Sequence, residues 1–113
     1  MKKQLSKSLI ERFSRQIILK NIGILGQKKI LLSKVLIVGV GGLGSPAAEF
    51  LVRSGVGLLG IIDYDKVSLS NLHRQSLYET SHVGKSKVQV IKKILNRINP
   101  NTKVQTYNLK LNN

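Results

Sequence analysis

The stretch Val35–Pro46 (VLIVGVGGLGSP) decides the fold that the sequence predicts. Its opening run, Val35–Val38, is aliphatic without polar alternation, which is typical of a strand covered on both faces in a parallel sheet. The glycines that follow have the G-x-G-x-x-G spacing, which turns a strand tightly into a helix and lets the backbone approach a pyrophosphate: Gly39, Gly41 and Gly44. Pro46 suits the first turn of that helix. We expect a buried strand and a phosphate-binding loop, the alternative being a glycine-rich turn without a ligand.

The residues after the loop predict a helix and a second strand. Ala47, Phe50 and Leu51 form the apolar stripe of the predicted helix, which Gly55 caps. Leu58–Ile62 predicts a second strand, parallel to the first, in a β-α-β unit of about 28 residues. This is the size of a mononucleotide-binding half.

Two acids, Asp63 and Asp65, follow the second strand. Asp63 follows Gly39 at the spacing at which an acid can hydrogen-bond the ribose of a nucleotide bound to the glycine loop. A turn residue that ends the strand is the alternative for Asp63, and a capping or turn residue is the alternative for Asp65.

The segment Val67–Gln75 is predicted to be neither a strand nor a long helix. It leaves the carboxyl end of the second strand, where ligands of open α/β sheets bind. It offers Asn71 as an uncharged donor and Arg74 as a planar cation suited to phosphate oxygens. A solvated loop is the alternative.

A third helix-strand pair closes the sequence. The spacing of Val88, Ile91, Leu95 and Ile98 predicts a helix over Lys85–Ile98, and Lys103–Asn108 predicts a third strand. Lys85 and Lys87 oppose the helix dipole, which indicates an anion nearby.

The segment before the glycine loop is predicted to be helical. Met1–Lys7 is expected to fray, and Ser8 with Glu11 fits a capping box that begins a helix over Leu9–Leu19. A second helix is predicted over Gln27–Leu32. We expect an N-terminal helical segment over residues 1–33 and the N-terminal half of an α/β, Rossmann-like nucleotide-binding domain over residues 34–113.

Composition excludes several classes of protein. The 113 residues contain no cysteine, so disulfides, thiolate metal sites and a cysteine nucleophile are excluded. No segment resembles a membrane span or a signal peptide, so a cytoplasmic location without a membrane partner is expected. The net charge is +14, but the lysines are scattered and aromatic residues are few. A solvated lysine-rich surface is therefore expected rather than nucleic-acid binding.

Several blocks occur in the order and at the separations of a known family: Arg12–Ile17 (RFSRQI), Gly39–Gly44 (GVGGLG), Ile62–Asp65 (IDYD), Ser70–Gln75 (SNLHRQ) and Val83–Lys87 (VGKSK). From about Leu9 to Asn113 the chain resembles the amino-terminal part of the adenylyltransferases that activate ubiquitin-like sulfur carriers. It is most similar to the molybdopterin-synthase adenylyltransferase and its thiamine-biosynthesis relative, and ubiquitin-activating enzymes are more distant.

The resemblance implies that the glycine loop binds ATP rather than NAD. ATP would convert the carrier's C-terminal carboxylate into an acyl-adenylate, with release of pyrophosphate. The nucleotide-binding residues that the resemblance implies are Gly39, Gly41, Gly42, Gly44, Asp63, Asp65, Ser70, Asn71, Arg74 and Lys87. Among them, Asp63 would take the ribose, and Asn71, Arg74 and Lys87 would contact the triphosphate.

The implied catalytic residues are Arg15, Arg74 and Lys87, with Arg15 reaching into the partner subunit's site in a homodimer. His73 and His82 are interpreted as a loop residue and a turn residue, not as bases. In the family, the aspartate that binds Mg²⁺, the carrier-binding surface and, in many members, zinc-binding cysteines lie further along the chain. We therefore expect the main Mg²⁺ ligand outside this chain.

A sheet of three strands is expected to expose an edge and an uncovered apolar face. A homodimer or a complementing chain is expected for this reason. Two alternatives to an adenylyltransferase part remain: a non-catalytic nucleotide-binding remnant or subunit, and a fragment of an NAD-dependent oxidoreductase.

Overall fold

A computed structural model describes residues 5–110 of the chain, in which helices flank a single parallel sheet. The elements, in chain order, are α1 (Lys7–Arg12), α2 (Ser14–Ile17), α3 (Gly23–Leu31), β1 (Lys34–Val38), α4 (Gly44–Ser54), β2 (Leu58–Ile62), α5 (Lys87–Ile98) and β3 (Lys103–Tyr107). Two short 3₁₀ helices, Leu69–Asn71 and Thr80–His82, lie between β2 and α5. Every helix within residues 5–110 falls short of the length and apolar character that a membrane span needs.

The sheet has the strand order β1-β2-β3, and both strand pairs are parallel. The register aligns Val38 with Ile62, and Ile62 with Tyr107, so all three strands end at one edge of the sheet. The predicted α/β, Rossmann-like class and its β-α-β unit are confirmed. Parallel strands bring the loops that follow them to the same side of the molecule, which positions the candidate site.

The hydrophobic core lies on one face of the sheet, beneath α4 and α5. Leu59 and Ile61 of β2 are fully buried there, and they share a core cluster with Val52 of α4 and with Ile91 and Leu95 of α5. Burial of each such side chain contributes roughly 1.5–3 kcal/mol to folding.

The opposite face of the sheet is open in the described part of the chain. Leu36 and Val38 are 58% and 59% exposed, and Tyr107 of β3 is also exposed. The prediction that β1 is covered on both faces is therefore wrong, because the core cluster packs only on the side of Val35 and Ile37. The prediction of an uncovered apolar face is confirmed.

Two short helices replace the single helix predicted over Leu9–Leu19. The cap is Ser6 rather than Ser8, because the Oγ of Ser6 accepts a hydrogen bond from the N–H of Leu9 at 3.3 Å. Phe13 interrupts the helix at φ −104° and ψ 15° and buries its ring against Gly55. Lys7 lies in α1, which contradicts the expectation that it frays, whereas Met1–Gln4 lies outside the described residues.

The first residues of two further helices, and the buried face of a third, differ from the prediction. Helix α3 begins at Gly23, not Gln27, and α5 begins at Lys87, not Lys85, because an antiparallel bridge joins Ser86 to Lys66. The predicted stripe on α4 is wrong for Ala47, which is exposed, and for Phe50, which is 65% exposed, whereas Leu51 packs against the core as predicted. The buried face of α4 consists of Ser45, Ala48 and Val52. The side chains of Ser45 and Ala48 are small, which favours a close approach of this helix to β1.

Candidate nucleotide-binding site

The glycine loop divides its glycines between two tasks. Gly39 has a φ of +88°, which permits the turn out of β1, and a Cβ on Gly44 would overlap the carbonyl oxygen of Gly39. By contrast, a Cβ on Gly41 would lie 3.4 Å from Gln75 Nε2, and one on Gly42 would have no neighbour closer than 4.0 Å. Gly39 and Gly44 therefore serve the fold, whereas Gly41 and Gly42 leave space in which a ligand can approach the backbone.

Three buried side chains hold the peptide groups of Val40, in the middle of the loop. The Oδ2 of Asp63 accepts a hydrogen bond from the N–H of Val40 at 2.8 Å. The Val40 carbonyl oxygen accepts from Ser45 Oγ at 2.6 Å and from the Tyr78 hydroxyl at 2.8 Å. Burial raises the pKa of Tyr78, so the hydroxyl stays protonated as a donor at neutral pH. The loop is thus ordered by the chain itself.

Sequence reasoning missed Ser45 and Tyr78. Their importance arises from a contact between distant segments, and a serine next to Pro46 or a lone tyrosine gives no local signal of it.

Asp63 lies at the carboxyl end of β2, beside a cavity of about 280 Å³ that Gly39 and Asp65 also line. Its side chain is buried, and its Oδ1 accepts a hydrogen bond from the N–H of Asp65 at 2.8 Å. Each carboxylate oxygen has capacity for a further hydrogen bond, so anchoring the loop does not exclude contact with a ribose hydroxyl. The ribose role of Asp63 stays a prediction.

Lys87 is the first residue of α5 and is 3% exposed. Its Nζ lies 3.9 Å from Asp65 Oδ2, which is longer than the roughly 2.7–2.9 Å of a direct charge-assisted hydrogen bond. A buried ammonium at the N-terminus of a helix also opposes the helix dipole. A second anion next to Lys87 would therefore be stabilised.

Asn71 and Arg74 adjoin the glycine loop from the other side. Arg74 Nη2 donates to Asn71 Oδ1 at 2.8 Å, and the carbonyl oxygen of Arg74 lies 4.0 Å from the position of a Cβ on Gly42. Arg74 is exposed. Ser70 is paired instead with Ser68, at 3.0 Å between the two hydroxyl oxygens.

Gln75 is a third residue that sequence reasoning did not select for the site. Its side chain is buried against Gly41, and its Oε1 has no hydrogen-bond partner within the described residues. In the sequence, Gln75 is only a polar residue that follows Arg74, and nothing local indicates that its side chain is buried against the loop.

The two histidines lie where the sequence predicted. His73 is exposed beside Arg74, and the Nδ1 of His82 accepts from the N–H of Glu79 at 2.9 Å in the turn that ends at His82.

Arg15 is not brought to this site within one chain. Its neighbour Gln16 donates to the carbonyl oxygen of Ser54 at 3.0 Å, at the C-terminal end of α4, whereas the glycine loop adjoins the N-terminal end. A helix of that length separates its two ends by about 15 Å. The structure thus brings together Gly39–Gly44, Asp63, Asn71, Arg74 and Lys87, and leaves Arg15 at the opposite end.

The chain belongs to the ThiF family, whose profile matches residues 13–113. The adenylyltransferase and sulfurtransferase MOCS3 of Aedes aegypti is 45% identical over 108 residues, which are 96% of this chain and 25% of that protein. The sulfur carrier protein adenylyltransferase of Thermus thermophilus is 42% identical over 94% of this chain and 39% of its own length. This chain therefore spans well under half the length of these relatives.

The solved structures include a protein with the same fold that holds a nucleotide. The tRNA N6-threonylcarbamoyladenosine dehydratase TcdA of E. coli, in complex with ATP, superposes with a TM-score of 0.88 and 29% identity. The match covers 96% of this chain and 44% of TcdA.

Proposed function

We propose that this chain is the ATP-binding part of an adenylyltransferase that activates the C-terminal carboxylate of a ubiquitin-like sulfur carrier, of the kind used in molybdopterin or thiamine biosynthesis. The observation that carries the proposal is the buried ammonium of Lys87 at the strand ends, which a single carboxylate at 3.9 Å compensates incompletely. The names of the MOCS3 and Thermus relatives, and ATP in the TcdA structure, support the choice of reaction and nucleotide. In this proposal residues 34–113 bind the nucleotide, and residues 1–33 form a helical segment docked beside them.

The chemistry explains why cations are needed. A carboxylate that attacks the α-phosphorus of ATP brings one anion onto another, and pyrophosphate leaves with the bonding electrons of the broken P–O bond. The protein must therefore position the groups and neutralise charge rather than supply a proton. We assign this neutralisation to Arg74 and Lys87, with Asn71 as a further triphosphate contact, Asp63 on the ribose and the Gly41–Gly42 backbone beside the nucleotide.

Arg15 is proposed to act across a dimer. Because its neighbour Gln16 lies at the end of α4 remote from the loop, we assign Arg15 to the site of another subunit. A homodimer in which Arg15 reaches the partner's nucleotide satisfies this geometry.

We propose that Mg²⁺ accompanies the ATP, with its main protein ligand outside this chain. Between Leu5 and Lys110, no group of three or more His, Cys, Asp or Glu side chains is placed to hold a metal ion. Within this chain, charge neutralisation is assigned to Arg74 and Lys87.

A non-catalytic nucleotide-binding subunit is the second candidate function. The open face of the sheet favours it, because Leu36 and Val38 expose apolar area that a second chain could cover. Such a subunit would bind ATP without forming an adenylate by itself.

The test is a calorimetric titration of the chain with ATP, adenosine and NAD, in the wild type and in two variants. Lys87→Met and Arg74→Ala should each weaken ATP by roughly tenfold or more while leaving adenosine nearly unchanged, since they remove only charge-assisted phosphate contacts. Lys92→Met, an exposed lysine on the same helix, is the matched control and should leave both affinities unchanged.

Equal losses for ATP and adenosine in the Arg74 variant would refute its phosphate role. Tighter binding of NAD than of ATP would refute the proposed nucleotide. With ATP bound and a carrier protein present, ATP–pyrophosphate exchange distinguishes an adenylyltransferase from the non-catalytic subunit.

A further inference from the structure

A cavity of about 510 Å³ lies along the side of α5, outside the glycine-loop site. Four cationic side chains line it: Lys66, Lys85, Lys93 and Arg97. No aspartate or glutamate is among the lining residues. In the described part of the chain, none of these four cations forms an ion pair.

The four cations form two pairs. Lys66 is the bridge partner of Ser86, so Lys66 and Lys85 lie together just before α5 begins. Lys93 and Arg97 are one turn apart on the helix, and Lys93 follows Ser86 by about 10 Å along its axis. Val90, whose side chain is buried, lies between the two pairs. Two pairs of cations therefore line the cavity at different levels along the helix.

The hydroxyl of Ser86 provides an independent observation. Ser86 is a lining residue of the cavity, and its Oγ is buried and has no hydrogen-bond partner within the described residues. A buried hydroxyl without a partner is unfavourable, so Ser86 retains an unused hydrogen-bond donor next to the cavity.

We infer that this cavity binds a small ligand carrying more than one phosphate group, at a site separate from the proposed ATP site. A phosphate ester carries about 1.5–2 negative charges at neutral pH, so two such groups balance four cations, whereas two carboxylates balance only half of them. The cavity volume falls within the roughly 300–1,000 Å³ of small-molecule sites. A nucleic-acid strand fits less well, because no phenylalanine or tyrosine lines the cavity to stack on a base.

The test is a residue-resolved NMR titration of the full chain with inorganic tripolyphosphate as the probe. The backbone amides of Ser86, Gln89 and Lys93 should shift together and saturably. Lys93→Glu should weaken this binding roughly tenfold, because it removes a cationic hydrogen-bond donor and puts a negative charge in its place. Lys92→Glu makes the same charge change on the same helix outside the cavity, and should change the affinity by less than about twofold. Ser86→Ala should weaken the binding without changing the net charge.

Equal weakening by Lys92→Glu and Lys93→Glu would overturn the proposal, because it would show attraction to the overall charge alone. Absence of shifts at residues 86–93 would overturn it too, as would tighter binding of a thymidine oligonucleotide with a footprint beyond the cavity. The amides of Gly41 and Gly42 report separately on the glycine loop. ATP binding should persist in Lys93→Glu, so failure of one site does not imply failure of the other.

Discussion

Gly44 and Gly42 show at the scale of single residues how one loop serves both fold and ligand. Gly44 has no room for a side chain because the carbonyl of Gly39 occupies the position, and this contact lets α4 start directly behind β1. Gly42 faces open space, and its φ is not positive, so an L-residue can adopt the same backbone conformation. The two residues are two positions apart in the sequence, yet their physical constraints differ.

Substituting these two glycines should separate stability from binding. Gly44→Ala should lower the free energy of unfolding by more than about 2 kcal/mol, because backbone must move to relieve the overlap. Gly42→Ala should change it by less than about 0.5 kcal/mol while weakening ATP, since the methyl group takes space proposed for the nucleotide. Urea unfolding followed by circular dichroism measures the first effect, and calorimetry the second. Similar stability of the two variants would contradict this division of roles.

Helices α1 to α3 are joined to the rest of the molecule, at the scale of elements, through the C-terminal end of α4. Gln16 and Gln27 both donate to the carbonyl oxygen of Ser54, at 3.0 Å and 3.1 Å, and Gln16 also donates to Gln27 Oε1 at 2.8 Å. The Phe13 ring fills the space beside Gly55, whose φ of +97° ends α4. A buried polar cluster and one aromatic ring therefore hold these helices, together with a hydrogen bond from Arg12 Nη1 to the carbonyl oxygen of Ile98 at 3.2 Å.

Truncating this ring should destabilise the whole domain. Phe13→Ala should cost about 3–5 kcal/mol, the usual range for a buried phenylalanine, whereas Ile18→Ala, at an exposed position, should cost less than about 0.5 kcal/mol. Chemical denaturation monitored by tyrosine fluorescence would measure both. If α1 to α3 were only loosely attached, Phe13→Ala would leave the midpoint of the main transition unchanged, and that outcome would show that the helices fold independently.

The whole molecule combines a net charge of +14 with one uncovered apolar sheet face. The charge opposes association of identical chains, and the exposed Leu36, Val38 and Tyr107 favour it. Salt screens the repulsion between charges and leaves the apolar attraction in place.

Association should therefore increase with salt and depend on the open face. Leu36→Lys should shift the chain towards monomer in sedimentation velocity, whereas Leu25→Lys, on the exposed side of α3, should have a much smaller effect. Neither variant should lower stability appreciably, because both side chains are exposed. A wild-type chain that remains monomeric at high salt and high concentration would contradict this expectation.

The sequence by itself determined the β-α-β unit, the glycine loop, the position of Asp63 at a strand end and the grouping of Asn71 and Arg74. These follow from local patterns, because a strand, a turn and a helix each depend mainly on residues close in sequence. It also indicated an anion at Lys87, from the conflict between a lysine and a helix N-terminus.

Only the tertiary structure decided which face of α4 is buried, where the first helix breaks and what holds the loop. Phe13 leaves the helix to fill a space beside Gly55, and Tyr78 reaches Val40 across a long separation in the chain. The same is true of Arg15, whose separation from Arg74 depends on where α2 docks. Such features arise from packing between distant segments, and no local pattern of residues encodes which distant surface a side chain will meet.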